Sequence, residues 1–503
     1  MLCLIHHYHM LKRCYYILSL VLISQWALAQ SDSESDNFRF TLPECIDYAV
    51  KNNLSVRQSQ WNVVSSEVAL QQSRLDLLPS LNANTNLSYS VGRTIDQFTN
   101  LYTEAPVRQQ DMGVSARVSL FNGLKKLNTI KRNRNNVEVG SLDLEATKDN
   151  ITLDVITAYT QILLNTELLE TAKLQLLTTQ SQLERTRRLV EAGSLPQADA
   201  LQLDAQLAQG ETAIVDAENN LALAELQLKQ ILQIPAGRSL DIVIPEVEVP
   251  DDELLPASAE AIYDEAVATL PAIRSADLQI NSAERDIAIA RADYYPSISL
   301  IGALGSSYSS VAPPLIPKAG VENAPTQRPI GFFTLPQSAG GVPAGEPVLV
   351  YEETQIPTAF TENTYLNQLD FNLRRFVQLS LDIPIFNNWQ VRSNVANTKI
   401  GLENARINAL SQRNVVRQNI EQAYLDAKSA AKSYNATQRQ VASLQTAFEN
   451  TEVRYQAGAI DAVDYNQAKN ELNSAESDMV RSKYNYVFSL KVLDFYQNKP
   501  LDF

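Results

Sequence analysis

The stretch RYQAGAIDAVDYNQA, residues 454–468, interrupts two long helical patterns with one small turn, and it has a relative, RLVEAGSLPQADALQ, at 188–202. Gly193 and Gly458 lie 265 residues apart. The same offset carries SLFNGLKKLNTIKRN at 119 onto PIFNNWQVRSNVANT at 384, matching Phe121 to Phe386 and Asn122 to Asn387. Upstream the offset is 217: Ala49, Val50 and Arg57 align with Ala266, Val267 and Arg274, and LLPSLN at 77 aligns with YYPSIS at 294. The chain is therefore an internal duplication, a pattern to be sought before any other. Its second copy carries 48 additional residues (265 minus 217) between the Pro-Ser and Phe-Asn stretches.

Both copies then read alike. A helix is expected over 41–77 and again over 257–293, ending before Pro79 or Pro296 because the residue preceding proline avoids the helical region. Next come segments of strict alternation. In LNANTNLSYSV, Leu81, Ala83, Leu87, Tyr89 and Val91 share one face, and Asn82, Asn84, Asn86, Ser88 and Ser90 share the other. GVSARVSLF at 113–121 and VQLSLDIPI at 377–385 alternate in the same way, and ISLIGALGSSY at 298 does so more weakly. Period two with one apolar and one polar face means a strand between two environments, either a soluble sandwich or a bilayer barrel. These segments set β-hairpins at 79–121 and 296–386, the second containing a Pro/Gly-rich loop, 311–364, without periodicity. So long a loop is functional or mobile.

Each hairpin is followed by a helix of some 70 residues (123–192 and 389–457), a glycine turn (192–195 and 457–460) and a shorter helix (196–233 and 461–497). At 1.5 Å per residue the longer helix spans roughly 100 Å, a depth that no globular core has. The organisation expected is a first repeat at 30–233, a proline-studded acidic linker at 234–256, a second repeat at 257–497 and a tail at 498–503.

The N-terminus supplies Lys12 and Arg13, an apolar run and Ala27-Leu28-Ala29, which together read as an export signal over residues 1–29. Its removal takes away His6, His7 and His9, and with them Cys3 and Cys14, leaving Cys45 alone. A chain without histidine carries no Ser-His-Asp or Cys-His arrangement and no imidazole zinc site, and one cysteine forms no intrachain disulfide. No phosphate-cradling glycine loop is present either. No enzyme activity, cofactor or metal is therefore expected, and Cys45 reads as a packed small residue. The mature charge is about -17 (57 acids against 42 basic residues less Lys12 and Arg13), which makes nucleic acid a poor partner.

This order of helix, hairpin, long helix, tip and helix, given twice, resembles the TolC family of outer-membrane efflux and secretion channels. The resemblance rests on the duplicated architecture, the F-N-G and I-F-N stretches after the second strands, and the Ala-Gly tips. It implies a mainly α fold with a small transmembrane β portion. In that fold duplicated long-helix hairpins form an α-helical barrel, and each protomer of a homotrimer gives four strands to a shared 12-stranded barrel in outer-membrane lipid. It also implies passive export through an exit duct, with a periplasmic adaptor and an inner-membrane pump as partners.

Both Ala-Gly breaks would then be periplasmic tips. Gly193 and Gly458 allow the positive φ of a tight reversal, and Asp461 is placed to cap the returning helix. By resemblance Asp464 falls on an acidic ring lining the closed entrance, with Gln467 standing where a second acid is usual. Tyr455 matches a gate tyrosine that bonds the first-tip acid, here Asp199, and Ile460 replaces the gate arginine. The small tips Ala192, Gly193, Ser194, Ala457, Gly458 and Ala459 would admit the adaptor's helical hairpins. A periplasmic coiled-coil scaffold without a pore would explain the helices but not the two alternating hairpins.

Overall fold

A computed structural model describes residues 38–95, 102–245, 258–318, 323–334 and 347–501. The export signal expected at 1–29, the second half of the acidic linker (246–256) and parts of both hairpin tips lie outside the described residues. The chain divides into two compact units. One holds residues 38–61, 142–274 and 411–501 among those described, and the other holds 62–141 and 275–410.

The first unit is helical. After a short strand, β1 (Phe38–Phe40), come α1 (Leu42–Asn52) and the start of α2 (Leu54–Leu75). The continuous helix expected over 41–77 is thus broken at Asn53, which is extended (ψ 134°). The physical reason is a cap: Asn53 Oδ1 accepts from the Ser55 backbone N–H at 2.8 Å, and its Nδ2 donates to the Ile231 carbonyl at 3.2 Å. The second copy breaks at the matching place. There α5 (Ala259–Thr269) and α6 (Pro271–Ala292) are separated by Leu270, whose helical conformation Pro271 disfavours.

The long helices are α3 (Lys125–Glu191) and α8 (Gln390–Gln456), and their returning partners are α4 (Gln197–Leu232) and α9 (Ala462–Tyr496). α3 and α8 enter both units. A strand after α4, β6 (Leu240–Ile242), pairs in parallel with β1.

The two cores of this unit are copies of each other. One buries Ile262, Ala266, Ile273, Val416, Ile420, Ala423, Ala427 and Leu493. Shifted by 217 for the first three and 265 for the rest, these become Cys45, Ala49, Val56, Ile151, Val155, Ala158, Ile162 and Leu228, all buried in the other core. Cys45 thus stands where the second copy has Ile262. It is fully buried, and burial pushes its thiol up to about 12, so it remains a protonated small apolar group.

The second unit carries the sheet. Its strands β2 (Ser80–Ser90), β5 (Val107–Asn122), β7 (Ser297–Ser309) and β12 (Arg374–Asp382) form one antiparallel sheet in the order β12-β7-β5-β2. Small pairs, β3 (Thr94–Ile95) with β4 (Tyr102–Thr103) and β8 (Leu315–Pro317) with β11 (Phe360–Glu362), accompany it. The 311–364 stretch is not the structureless loop expected. It contains a long hairpin, β9 (Asn323–Thr334) with β10 (Pro347–Pro357), and leads into α7 (Tyr365–Phe371).

That helix has a definite post. β12 pairs with β7 only as far as Gly305, so the β7 edge beyond it needs other partners. α7 and its end supply them: Gln368 Oε1 accepts from the Ser309 N–H at 3.0 Å, and Asn372 Nδ2 donates to the Ser307 carbonyl at 2.8 Å.

Each long helix starts from an unusual turn. Gly123 and Leu124 are both left-handed (φ 63° and 66°), and so are Asn388 and Trp389 (φ 51° and 62°) 265 residues on. At Gly123 a Cβ would lie 2.5 Å from the Ala292 carbonyl oxygen, so the close approach, more than the φ that Asn388 shares, calls for glycine there.

Candidate functional site

The two helix reversals share one geometry. At the first, the Ser194 N–H bonds the Leu189 carbonyl (2.9 Å) and the Gly193 N–H bonds that of Val190 (3.0 Å). At the second, Ala459 bonds Arg454 (2.9 Å) and Gly458 bonds Tyr455 (3.0 Å). This paired closure around a left-handed residue satisfies carbonyls that a helix end otherwise leaves open. Gly193 and Gly458 supply the positive φ, 73° and 71°.

The returning helices start differently. Asp461 accepts from both the Val463 and Asp464 N–H groups at 3.0 Å, whereas Pro196, the matching residue, offers no side-chain acceptor. All six small tip residues, Ala192, Gly193, Ser194, Ala457, Gly458 and Ala459, are exposed.

Asp464 and Gln467 lie on the exposed face of α9, where Gln467 Nε2 donates to Glu471 Oε1 at 3.1 Å. Tyr455 lies on another face, stacked on buried Tyr465 with ring centroids 4.8 Å apart. Thr186 of α3 and Asp199 of α4 lie near its hydroxyl. Burial raises its pKa, and the nearby Asp199 carboxylate raises it further. The chain therefore brings Tyr455, Thr186 and Asp199 into one neighbourhood and leaves Asp464 and Gln467 apart from it.

Thr186 begins a series of polar rungs from α3 to the second repeat. Seven residues back along α3, Thr179 Oγ1 accepts from Lys469 Nζ at 3.1 Å, and both residues are buried. Gln175 Nε2 then donates to the Asn473 carbonyl at 3.2 Å, and Glu167 receives Lys483 Nζ at 2.9 Å. Burial lowers the Lys469 pKa to about 8, against the opposing pull of Glu452. Sequence reading missed this lysine. The signal was there, since Lys469 falls within the apolar row of Tyr465 and Leu472 that α9 turns inward.

In the sheet, register separates two faces. Leu81, Ala116, Gly302 and Val377 lie in one row, and Ala83, Val114, Leu304 and Arg375 in another, so these side chains share a face. Leu81, Leu87, Tyr89, Leu304, Val377, Leu379 and Leu381 on this face are each more than half exposed. The opposite face presents Asn82, Asn84, Asn86, Ser115, Arg117, Gln378 and Ser380. The weak alternation of β7 has a simple origin: Ile301 and Ala303 stand on this polar face, beside Gln378 and Ser115. β2 and β12 are the edges, each with one side lacking a ladder partner in the sheet.

A sheet apolar on one exposed face and polar on the other, in a chain of duplicated long-helix hairpins, is what a channel-forming protein of the bacterial outer membrane requires. The chain belongs to the outer membrane efflux protein family, whose model matches residues 45–232 and 374–496. Among curated relatives it is 22% identical to the alkaline protease secretion protein AprF of Pseudomonas aeruginosa, over 84% of this chain and 77% of that one. It is 20% identical to the outer membrane protein TolC of Escherichia coli K12, over 87% and 78%. Among solved structures, CusC superposes with a TM-score of 0.70 at 17% identity, covering 93% of this chain and 95% of that one. The protein is an outer-membrane efflux or secretion channel of the Gram-negative envelope.

Proposed function

We propose that the chain is one third of a passive export duct. Three copies join edge to edge, β12 of one beside β2 of the next, and close a 12-stranded barrel with the apolar face toward lipid and the Asn/Ser face toward water. The observation that carries this reading is the pair of edges without ladder partners on a sheet whose apolar face is exposed. An open edge is not tolerated within a bilayer, and closure among copies removes it. The long helices of the three copies assemble into the periplasmic tunnel.

In this duct Asp464 faces the entrance as one member of a threefold acidic ring, and Gln467 stands one turn deeper. Tyr455, with Thr186 and Asp199, holds the second hairpin against the first. The exposed small tips receive the helical hairpins of a periplasmic adaptor, and the adaptor joins the duct to an inner-membrane pump that supplies the energy. The test is the mass of the purified complex together with its conductance in a planar bilayer. A trimer that conducts ions supports the duct; a folded, conductance-free monomer absent from outer membranes would return the chain to the scaffold reading.

A further inference from the structure

Below β12 the apolar face continues out of the sheet. Ile383 and Ile385 keep the parity of Leu379 and Leu381, and Ile385 is 94% exposed. Phe386 and Trp389 follow, each more than half exposed, at the turn into α8. One turn into that helix the Arg392 guanidinium lies over the Trp389 ring, 4.1 Å from its centroid.

The turn does not by itself require this pair. The first repeat makes the same double left-handed turn with Leu124 and Leu127 at the matching positions. The left-handed backbone belongs to the turn, since Leu124 shares it, and Trp389 and Arg392 are what the second copy adds to it.

A cavity of about 350 Å³ opens beside them, lined by Tyr294, Ile385, Phe386, Trp389, Arg392 and Asp293 among others. Asp293 is already paired with Lys125 at 2.7 Å. Arg392 has no carboxylate partner among the described residues. The cavity thus joins an aliphatic and aromatic wall to one uncompensated cation, directly beneath the apolar band of the sheet. Acyl chains fit the wall, and a phosphodiester fits the cation. Aromatic and basic side chains gather at this level of a membrane protein because one end of each is apolar and the other polar.

We propose that this ledge binds an anionic phospholipid of the membrane leaflet facing the periplasm, with Arg392 on the phosphate and Ile385, Phe386 and Trp389 along the chains. The inference rests on the barrel reading above and adds to it a lipid class and the residues that select it.

The experiment is lipid extraction and native mass spectrometry of the full mature protein from nanodiscs of equal phosphatidylglycerol and phosphatidylethanolamine. Wild type, Arg392→Gln, Arg392→Lys and Trp389→Ala are compared, and outer-membrane recovery and trimer mass are measured in parallel. Wild type is expected to retain phosphatidylglycerol preferentially. Arg392→Gln should lose about fivefold of that preference, as for one basic group at a lipid surface, while Arg392→Lys keeps it and trimer and recovery stay unchanged. No preference in wild type, or the same preference in Arg392→Gln, overturns the proposal. It is equally overturned if Trp389→Ala breaks the trimer while phosphatidylglycerol retention is unaltered, because the ledge then packs on a second copy. Failure of wild type to reach the outer membrane would overturn the barrel reading itself, and the parallel fractionation shows this separately.

Discussion

Lys469 Nζ donates to Thr179 Oγ1 across 3.1 Å in a buried setting, so the second repeat is pinned to the first by an ionisable group with one neutral partner. Thr179 also donates its own hydroxyl proton to the Gln175 carbonyl at 2.9 Å, so it stays satisfied if the lysine is removed. Lys469→Met should therefore stabilise the protein at neutral pH by about 1 kcal/mol or more, as replacement of a buried charge by an apolar side chain often does.

The same residue sets a pH dependence. Folding lowers its pKa from 10.5 to about 8, so between these values the folded chain holds fewer protons than the unfolded one. Its protonation costs the fold nothing above pH 10.5, an increasing amount as pH falls toward 8, and a constant amount below. The Lys469→Met gain in Tm should accordingly be largest at pH 7 and vanish near pH 10.5. A gain independent of pH would show that the lysine titrates normally.

Asp461 closes two backbone N–H groups at the start of α9, a service that Pro196 does not perform for α4. Asp461→Ala should cost about 1 kcal/mol. Hydrogen exchange should quicken at the Val463 and Asp464 amides and remain unchanged in the first turn of α4.

Glycines of similar φ should respond unequally to alanine. Gly458 has open space where a Cβ would stand, so Gly458→Ala pays only the left-handed backbone penalty, about 1–2 kcal/mol. Gly123→Ala pays that penalty and also collides with the Ala292 carbonyl. The first variant should assemble with a lowered melting temperature, and the second should fail to accumulate in the outer membrane.

The two sheet faces can be told apart by one charge. Leu379→Arg places it on the apolar face, where arginine costs about 2–4 kcal/mol near the bilayer midplane, and should block insertion. Ser380→Arg, one residue on, should insert and shift the ion selectivity of the pore. Equal recovery of both variants from outer membranes would sink the assignment of faces.

Asp464→Ala should abolish one-sided block of the channel by a trivalent cation and leave the open conductance near that of wild type. Block persisting in the variant would move the acidic entrance elsewhere.

How much of this could be read beforehand depended on range. Gly193 and Gly458, the capping Asp461 and the alternation of β2 and β12 are local signals, and short-range sterics or period two suffices to read them. The break at Asn53 is not local, since its side chain is held by the Ile231 carbonyl 178 residues away. Its counterpart did carry a local signal, Pro271 after Leu270, which the unbroken helix expected over 257–293 passed over. The β9–β10 hairpin escaped because its pairing, such as Phe332 with Leu349, has no alternation to announce it. At the tips, side-chain identity showed where Tyr455 and Asp199 stand in the chain. That Tyr455 comes to lie near Thr186 is a matter of how helices rotate against one another, which no spacing discloses.

The sheet edges also constrain how the protein is made. A lone chain inserted in the bilayer would hold the outer backbone groups of β2 and β12 in hydrocarbon at several kcal/mol each. If copies close the barrel as proposed, insertion and association are a single event, with no membrane-embedded monomer as an intermediate. The yield of inserted protein should accordingly rise more steeply than linearly with the supply of exported chains, and chains that find no companions should remain in the periplasm as substrates for proteolysis.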